Sequence, residues 1–286
     1  MQKTQRQSEI PYQLLNFACM IRKCLSVFLL FCAVCFIKGQ TNNPVRLPSE
    51  ELTIATWNIG HFSRGKVDHS TVNSSNYDNK LATFRKFVKD SLNVDVLCIN
   101  EFSSIFYRDS LKKHIWAETS LFGRFKEHRV FKQNRFVCNA IFSKIALNGT
   151  GMQPFQYSDS MKLKRKNIDW FYYTWSDITI GGKNVKLVCA HLINRDEQLC
   201  QNQIKQLLMA FNQFDRVIIC GDMNTNNYQK FKDYGYMMVQ DGNKITLPSR
   251  SLCIDNIFVK GLKISGSRVI KTKLSDHFAV ACNVCL

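Results

Sequence analysis

The chain has 286 residues, 39 Lys and Arg against 22 Asp and Glu, and a net charge of +17. With 45% hydrophobic residues, 13 Gly and 5 Pro, the composition excludes a disordered or collagen-like chain. A mean hydropathy of −0.19 argues against a polytopic membrane protein, and the basic excess points to a polyanionic partner such as nucleic acid, anionic lipid or a phosphorylated small molecule.

The first element is the uncharged run Cys24–Ile37, preceded by Arg22 and Lys23 and followed by Lys38. It is shorter than the roughly 20 apolar residues of a spanning helix. A basic front and a short apolar run fit a signal peptide over residues 1–39, with Met20 an alternative start. A secreted or periplasmic protein is therefore expected, with an uncleaved, membrane-anchored form as the alternative. Residues 40–50 read as a linker. Residues 51–286 form one domain, because no Pro/Gly/Ser-rich stretch divides them. The chain without residues 1–39 keeps 34 basic and 21 acidic residues, so its net charge is +13.

Strand-like apolar runs follow in order: Leu52–Asn58, Asp95–Glu101, Phe136–Ser143, Phe171–Ile180, Val185–His191, Arg216–Asp222, Cys253–Val259 and His277–Val284. Most are apolar on both faces, as strands buried inside a layered protein should be. Helical spacing places Leu81, Phe84, Val88 and Leu92 on one face of Asn79–Leu92. It does the same for Leu199, Leu207, Leu208, Phe211 and Phe214 over Asp196–Phe214. Helices among many strands predict a layered α/β domain. Four of the 12 cysteines lie in the leader. Cys98, Cys189 and Cys220 sit in apolar runs as small hydrophobes. Cys282 and Cys285 form one CxxC without a second pair, which is weak evidence for a metal.

The chemistry-bearing residues interrupt these strands at their ends. Asn58 ends LTIATWN, Glu101 ends DVLCINE, His191 ends VKLVCAH, and Asp222 ends RVIICGD with Asn224 two residues on. Asp255 lies in CIDNIFV, and Asp276 and His277 precede FAVAC. Polar groups at buried strand ends are costly unless paired, and open sheets bind ligands at such ends. In extended chain Asp222 and Asn224 would face the same side. Asp276 and His277 are expected at a loop-to-strand junction where both can converge.

The ordered set TWN, NE, AHL, GDMN, IDNIFV and LSDH resembles the endonuclease/exonuclease/phosphatase superfamily over Leu52–Val284. That superfamily includes deoxyribonuclease I, apurinic endonucleases, inositol polyphosphate phosphatases and secreted sphingomyelinases. Cys138 stands where Gly is usual, Asn100 where Gln is common and Asn256 where Tyr is common. The resemblance implies a four-layer α/β/β/α sandwich of two packed mixed sheets. It also implies a phosphoester hydrolase using Mg²⁺ or Mn²⁺. By this resemblance Glu101 is a hard oxygen ligand with Asn58 beside it, and Asp276 completes the metal set. Asp222 orients or deprotonates the attacking water, and Asn224 holds a phosphate oxygen. His277 contacts the phosphate or acts as base, with Asp255 fixing its tautomer, and His191 donates to the phosphate or leaving oxygen. Family members with a catalytic Tyr carry it in the interval that here holds Tyr172 and Tyr173.

Two basic stretches could track a polyanion. One interleaves Arg124, Lys126, Arg129, Lys132 and Arg135 with aromatics; the other is Lys162, Lys164, Arg165 and Lys166. Each is equally readable as a solvated hairpin or surface run. His61 is a weaker candidate for the site, and His69, His114 and His128 read as surface. The leading expectation is a monomeric secreted nuclease acting on DNA or RNA without an obligate protein partner. The alternatives are a sphingomyelinase-type phosphodiesterase meeting anionic lipid, with DWFYYTW (Asp169–Trp175) as a docking candidate, and a phosphatase on a small phosphoester. A catalytically dead binding module is disfavoured, because every expected polar position is retained.

Overall fold

Parity along the strands explains the architecture. In the computed structural model, the described residues are 50–60, 77–102, 125–132, 138–164 and 171–286. The proposed leader and all but the last residue of the linker lie outside them. So do Arg165 and Lys166, the Lys164 side chain, His61, His69 and His114. Among the described residues no helix is long and apolar enough to cross a membrane.

The first sheet contains β1 (Glu51–Asn58), β2 (Val96–Asn100), β3 (Glu127–Lys132), β4 (Cys138–Ser143), β11 (Lys263–Ile270) and β12 (Ala279–Cys285), in the order β11-β12-β1-β2-β4-β3. The second contains β5 (Asn148–Pro154), β6 (Tyr172–Ile180), β7 (Lys183–His191), β8 (Val217–Asp222), β9 (Met237–Met238) and β10 (Asp255–Lys260), in the order β5-β6-β7-β8-β10-β9. Each sheet is mixed. β1 and β2 are parallel in the first, β7 and β8 in the second, and the other pairs are antiparallel.

Alternate residues of one strand enter different cores. Leu52, Ile54, Val96, Cys98, Leu187, Cys189, Ile218, Cys220, Ile257 and Val259 fill the space between the sheets. Trp57, Leu97 and Ile99 instead pack outward with Phe84, Val88 and Leu92. These last three come from α1 (Tyr77–Phe87) and the π-helical turn Val88–Leu92 that continues it. Val188, Val217 and Ile219 pack outward on the other side against Leu199, Ile204, Leu207, Leu208 and Phe211 of α3 (Glu197–Phe211) and Phe231 of α4 (Gln229–Asp233). Strands with apolar partners on both faces need no polar alternation, which is why their sequences read as continuous apolar runs. Three cores between four layers give the helix–sheet–sheet–helix sandwich. The Asp196 carboxylate caps α3, accepting the Leu199 N–H at 3.0 Å.

The eight core strands lie where the apolar runs predict them, as do Phe84, Val88 and Leu92 of the first helical face and Leu199, Leu207, Leu208 and Phe211 of the second; the Leu81 side chain is outside the described residues, and Phe214 lies past the end of α3. The edge strands β5 and β11 have no counterpart among the predicted runs; their burial patterns are mostly exposed. The Arg124–Arg135 stretch holds β3, a hairpin arm paired with β4. All eight described cysteines are free thiols, seven of them buried.

Candidate active site

The same parity aims the polar residues. Continuing 52, 54 and 56 along β1 reaches Asn58, and 96 and 98 along β2 reach Asn100. On the second sheet 187 and 189 lead to His191, 218 and 220 lead to Asp222, and 257 and 259 lead back to Asp255. All five share the inter-sheet face, at one end of the sandwich. Register brings them level: Asn58 pairs with Asn100, and Asp222 with both His191 and Asp255.

Glu101 falls one residue past β2 and would take the opposite parity. Its left-handed φ of 52° breaks the alternation, and its Oε1 lies 3.3 Å from Asn58 Nδ2. Asn58 Nδ2 also donates to Asp222 Oδ2 at 2.9 Å. The strand end GD is possible because residue 221 is Gly, at φ 144°. A Cβ there would lie 1.8 Å from the Ala190 carbonyl oxygen.

Two histidines converge on Asp222. The Nε2 atoms of His191 and His277 lie 3.6 and 3.8 Å from its Oδ2. Behind His277, Nδ1 pairs with Asp255 Oδ2 at 2.8 Å, and Asp255 is fully buried. Burial opposes a charge on His277. The Asp255 and Asp222 carboxylates and the Nδ1 bond outweigh it and push the imidazole up to about 10. Burial and the Asp255 charge push the Asp222 carboxyl up, against the pull of the two histidines and of Asn58. The two carboxylates thus favour the protonated form of His277 in the metal-free protein.

The LSDH segment sits at the loop-to-strand junction, with β12 starting two residues later. Ser275 Oγ donates to the Asn58 carbonyl at 2.7 Å and accepts the His277 N–H at 3.2 Å. Trp57 Nε1 donates to the His277 carbonyl at 3.1 Å. Asp276 is half-buried and lines the same cleft as Glu101, His191, Asp222, Asn224 and His277. That cleft has a volume of about 110 Å³.

Two placements differ from expectation. Asn224 is not extended: at φ 52° its backbone N–H bonds Asp222 Oδ1 at 3.0 Å and its Nδ2 donates to the Leu192 carbonyl at 2.8 Å. It lines the cleft while bracing Asp222. Asn58 turns its amide nitrogen, a donor, toward the carboxylates, and its Oδ1 accepts the Gly60 N–H at 3.0 Å. An amide between two carboxylates orients its donor to them. Lys162 is exposed on α2 (Asp159–Lys164) and does not line the cleft. Tyr172 and Tyr173 do not line it either. Both are buried in β6, which removes them from any membrane-docking loop.

Sequence reasoning missed the residues behind and beside the site. Asn100 bridges the sheets: its Oδ1 accepts the Asp222 N–H at 2.8 Å and its Nδ2 donates to Asn139 Oδ1 at 2.8 Å. Asn194, Leu247, Ser249, Arg250 and Ile254 complete the lining. Asn100 had a usable signal, an amide ending an apolar strand. Ser249 and Arg250 had none beyond those of an ordinary turn.

Hard oxygen donors dominate the cleft. Among the described residues one His/Asp/Glu group is tight enough to share an ion: Asp222, Asp255 and His277. Asp255, however, is fully buried, does not line the cleft and already holds His277 Nδ1. The oxygens of Glu101 and Asp276 fit a hard divalent cation better.

A four-layer sandwich with carboxylates and histidines gathered at one end of both sheets defines a phosphodiesterase-type or nuclease-type fold. The sequence matches the Endonuclease/Exonuclease/phosphatase family over residues 55–277, and the chain belongs to that family. No curated protein matches it in sequence. Among solved structures it resembles the endonuclease/exonuclease/phosphatase from Beutenbergia cavernae. The TM-score is 0.63 at 14% identity, covering 83% of this chain and 72% of that one. D. rerio TDP2 complexed with a single-strand DNA product gives a TM-score of 0.61 at 14% identity, over 83% of this chain and 100% of that one. The human Nocturnin catalytic domain with bound sulfate gives 0.59 at 14% identity, over 84% and 94%. At such identity the likeness speaks for the fold.

Proposed function

We propose that the protein is a divalent-metal-dependent phosphodiesterase acting on nucleic acid. The observation that carries this reading is the Asp222 carboxylate held between two histidines, with Asp255 behind one of them, in a fold of this family. Glu101 and Asp276 would hold a Mg²⁺ or Mn²⁺ ion, with Asn58 beside them. When bound, such an ion supplies Lewis-acid stabilisation of charge on the phosphoryl oxygens.

The chain's own residues supply the rest. Asp222 orients the attacking water and takes its proton; a carboxyl pushed up by burial is the better base. His277, protonated and held by Asp255, donates from Nε2 to a phosphate oxygen. His191 donates to the phosphate or the leaving oxygen. Asn224 keeps Asp222 in place through its backbone N–H. The cationic chain supports a nucleic-acid substrate, as does the resemblance to TDP2, whose structure holds a DNA product. Residues 1–39 serve as a signal peptide, residues 40–50 as a linker and 51–286 as the secreted catalytic domain.

The experiment is turnover of plasmid DNA, RNA, sphingomyelin and inositol phosphates with Mg²⁺ and with EDTA. DNA or RNA cleavage that EDTA abolishes and Asp222→Ala removes is expected. Cleavage of lipid with inertness toward nucleic acid would overturn the substrate, and full activity in EDTA would overturn the metal.

A further inference from the structure

The cleft's lining sets the acids Glu101, Asp222 and Asp276 beside His191 and His277, while a phosphoester substrate is itself an anion. Among the described lining residues the one Lys or Arg is Arg250, on the 3-10 turn Pro248–Arg250. Arg250 and its neighbour Ser249 are exposed and yet line the cleft, so they stand at its rim. The Arg250 guanidinium has no carboxylate partner among the described residues.

This turn is fastened to the reacting groups. Leu247 and Leu252 bond each other in both directions, at 2.9 and 3.2 Å, and Ser251 closes the turn at a left-handed φ of 55°. Below them Thr246 Oγ1 accepts the N–H of Ile254 and of Asp255, each at 3.1 Å. The Thr246 carbonyl accepts the N–H of Phe278 at 2.7 Å. The turn is therefore tied to Asp255 itself and to the residue after His277, so the backbone that carries the rim cation is held at a fixed place relative to the pair. With the scissile group at Asp222 and the two histidines, a guanidinium at the rim faces the part of the substrate beside that group. Its planar fork matches a phosphate's oxygens.

We propose that Arg250, with the Ser249 hydroxyl, binds a second phosphate that neighbours the scissile one in the same substrate. Arg250 is thus a specificity determinant that does not touch the reacting atoms. The inference rests on the phosphoesterase reading of the cleft. It narrows the substrate to phosphoesters flanked by a further phosphate, as every internal linkage of a nucleic-acid strand is.

The test uses the full chain and dithymidylate, which has one internal phosphodiester, with and without a terminal phosphate at the 5′ or 3′ end. A charge-assisted phosphate contact predicts that one phosphorylated form is preferred in kcat/KM by about tenfold or more. Arg250→Ala should bring the ratio close to one. Arg250→Lys should keep part of it, because the charge stays while the fork is lost. A parallel arm with inositol bisphosphate against monophosphate tells a small polyphosphorylated ester from a strand as the source of the second phosphate. An unchanged ratio in Arg250→Ala, or no preference in the wild type, overturns the inference. Calorimetric binding of the phosphorylated and unphosphorylated dinucleotides reads the same ratio without turnover. Absence of hydrolysis on every substrate therefore overturns the phosphoesterase reading, while the binding ratio still decides this one.

Discussion

At the scale of single residues, the charge on His277 is set by one neighbour more than any other. Asp255 reaches its Nδ1 at 2.8 Å from a fully buried position. Asp255→Asn keeps the shape and removes the charge. The His277 imidazole should then fall well below about 10, read from its proton resonances against pH, and kcat should fall by roughly 10²-fold or more. An unmoved titration would sink the role given to Asp255. The raised imidazole also makes stability depend on pH in a definite direction. The folded, metal-free protein holds the His277 proton more tightly than the unfolded chain. The contribution is present in full below about pH 6.5 and is lost as pH rises toward about 10. Asp222, also pushed up, acts with the same sign at lower pH. With chelator present, the urea midpoint should decline from neutral to alkaline pH, and the decline should flatten in His277→Asn. A midpoint that rises over that range contradicts the argument. Gly221 makes a steric claim instead. Its φ of 144° and the 1.8 Å approach of the Ala190 carbonyl oxygen leave no room for a Cβ. Gly221→Ala should cost about 3 kcal/mol in urea unfolding; a cost within about 0.5 kcal/mol, typical of neutral surface changes, would show that β7 and β8 can part.

At the scale of elements, Thr246 joins pieces that lie far apart in sequence. Its hydroxyl accepts two backbone N–H groups at the start of β10 and its carbonyl holds Phe278, just before β12. Thr246→Val keeps the volume and strands two buried donors. It should destabilise by about 1–3 kcal/mol and lower kcat by displacing Asp255 from His277, whereas Thr246→Ser should restore both. Wild-type kcat in the valine variant would refute that coupling. Such ties mark where legibility in the sequence ends. Strands buried on both faces announce themselves as apolar runs, and an Asn, His or Asp ending such a run stands out because burial makes it costly. Asn58, His191 and Asp222 are legible in the sequence for that reason. β5 and β11 are not, because edge strands with few buried side chains carry no alternation. Asn224 departs from the extended geometry its spacing suggests, because the strand stops at Asp222 and the chain turns left-handed. Pro248, Ser249 and Arg250 look like any surface turn; the bonds of Thr246 to Asp255 and Phe278 are what bring them to the cleft.

At the scale of the whole molecule, three cores share the burial, and the cysteines report on it. Cys98, Cys189, Cys220 and Cys282 lie in the inter-sheet core, Cys138 in the core under α1, and Cys200 in the core under α3. Cys253 is buried beside the site, and Cys285, near the C-terminal end of the chain, is half-buried. Burial pushes the Cys282 thiol up to about 12 and Cys253 up to about 11, and it pushes Cys200 higher still. The thiolate is the reactive form, so these three thiols, sheltered and held protonated, should not alkylate until their surroundings open, and burial alone shelters Cys98, Cys138, Cys189 and Cys220. In native buffer near pH 8, iodoacetamide should modify Cys285 and spare the other seven, as mapped on peptides by mass spectrometry. Concentrated guanidinium should expose all eight together. If the sandwich unfolds as one unit, the seven should react at one common slow rate that tracks global stability. Faster reaction of Cys138 alone would show the layer under α1 opening before the rest. Reaction of Cys189 or Cys220 as fast as Cys285 would mean that the two sheets separate in the native state, and a site built from the ends of both could not then hold its geometry.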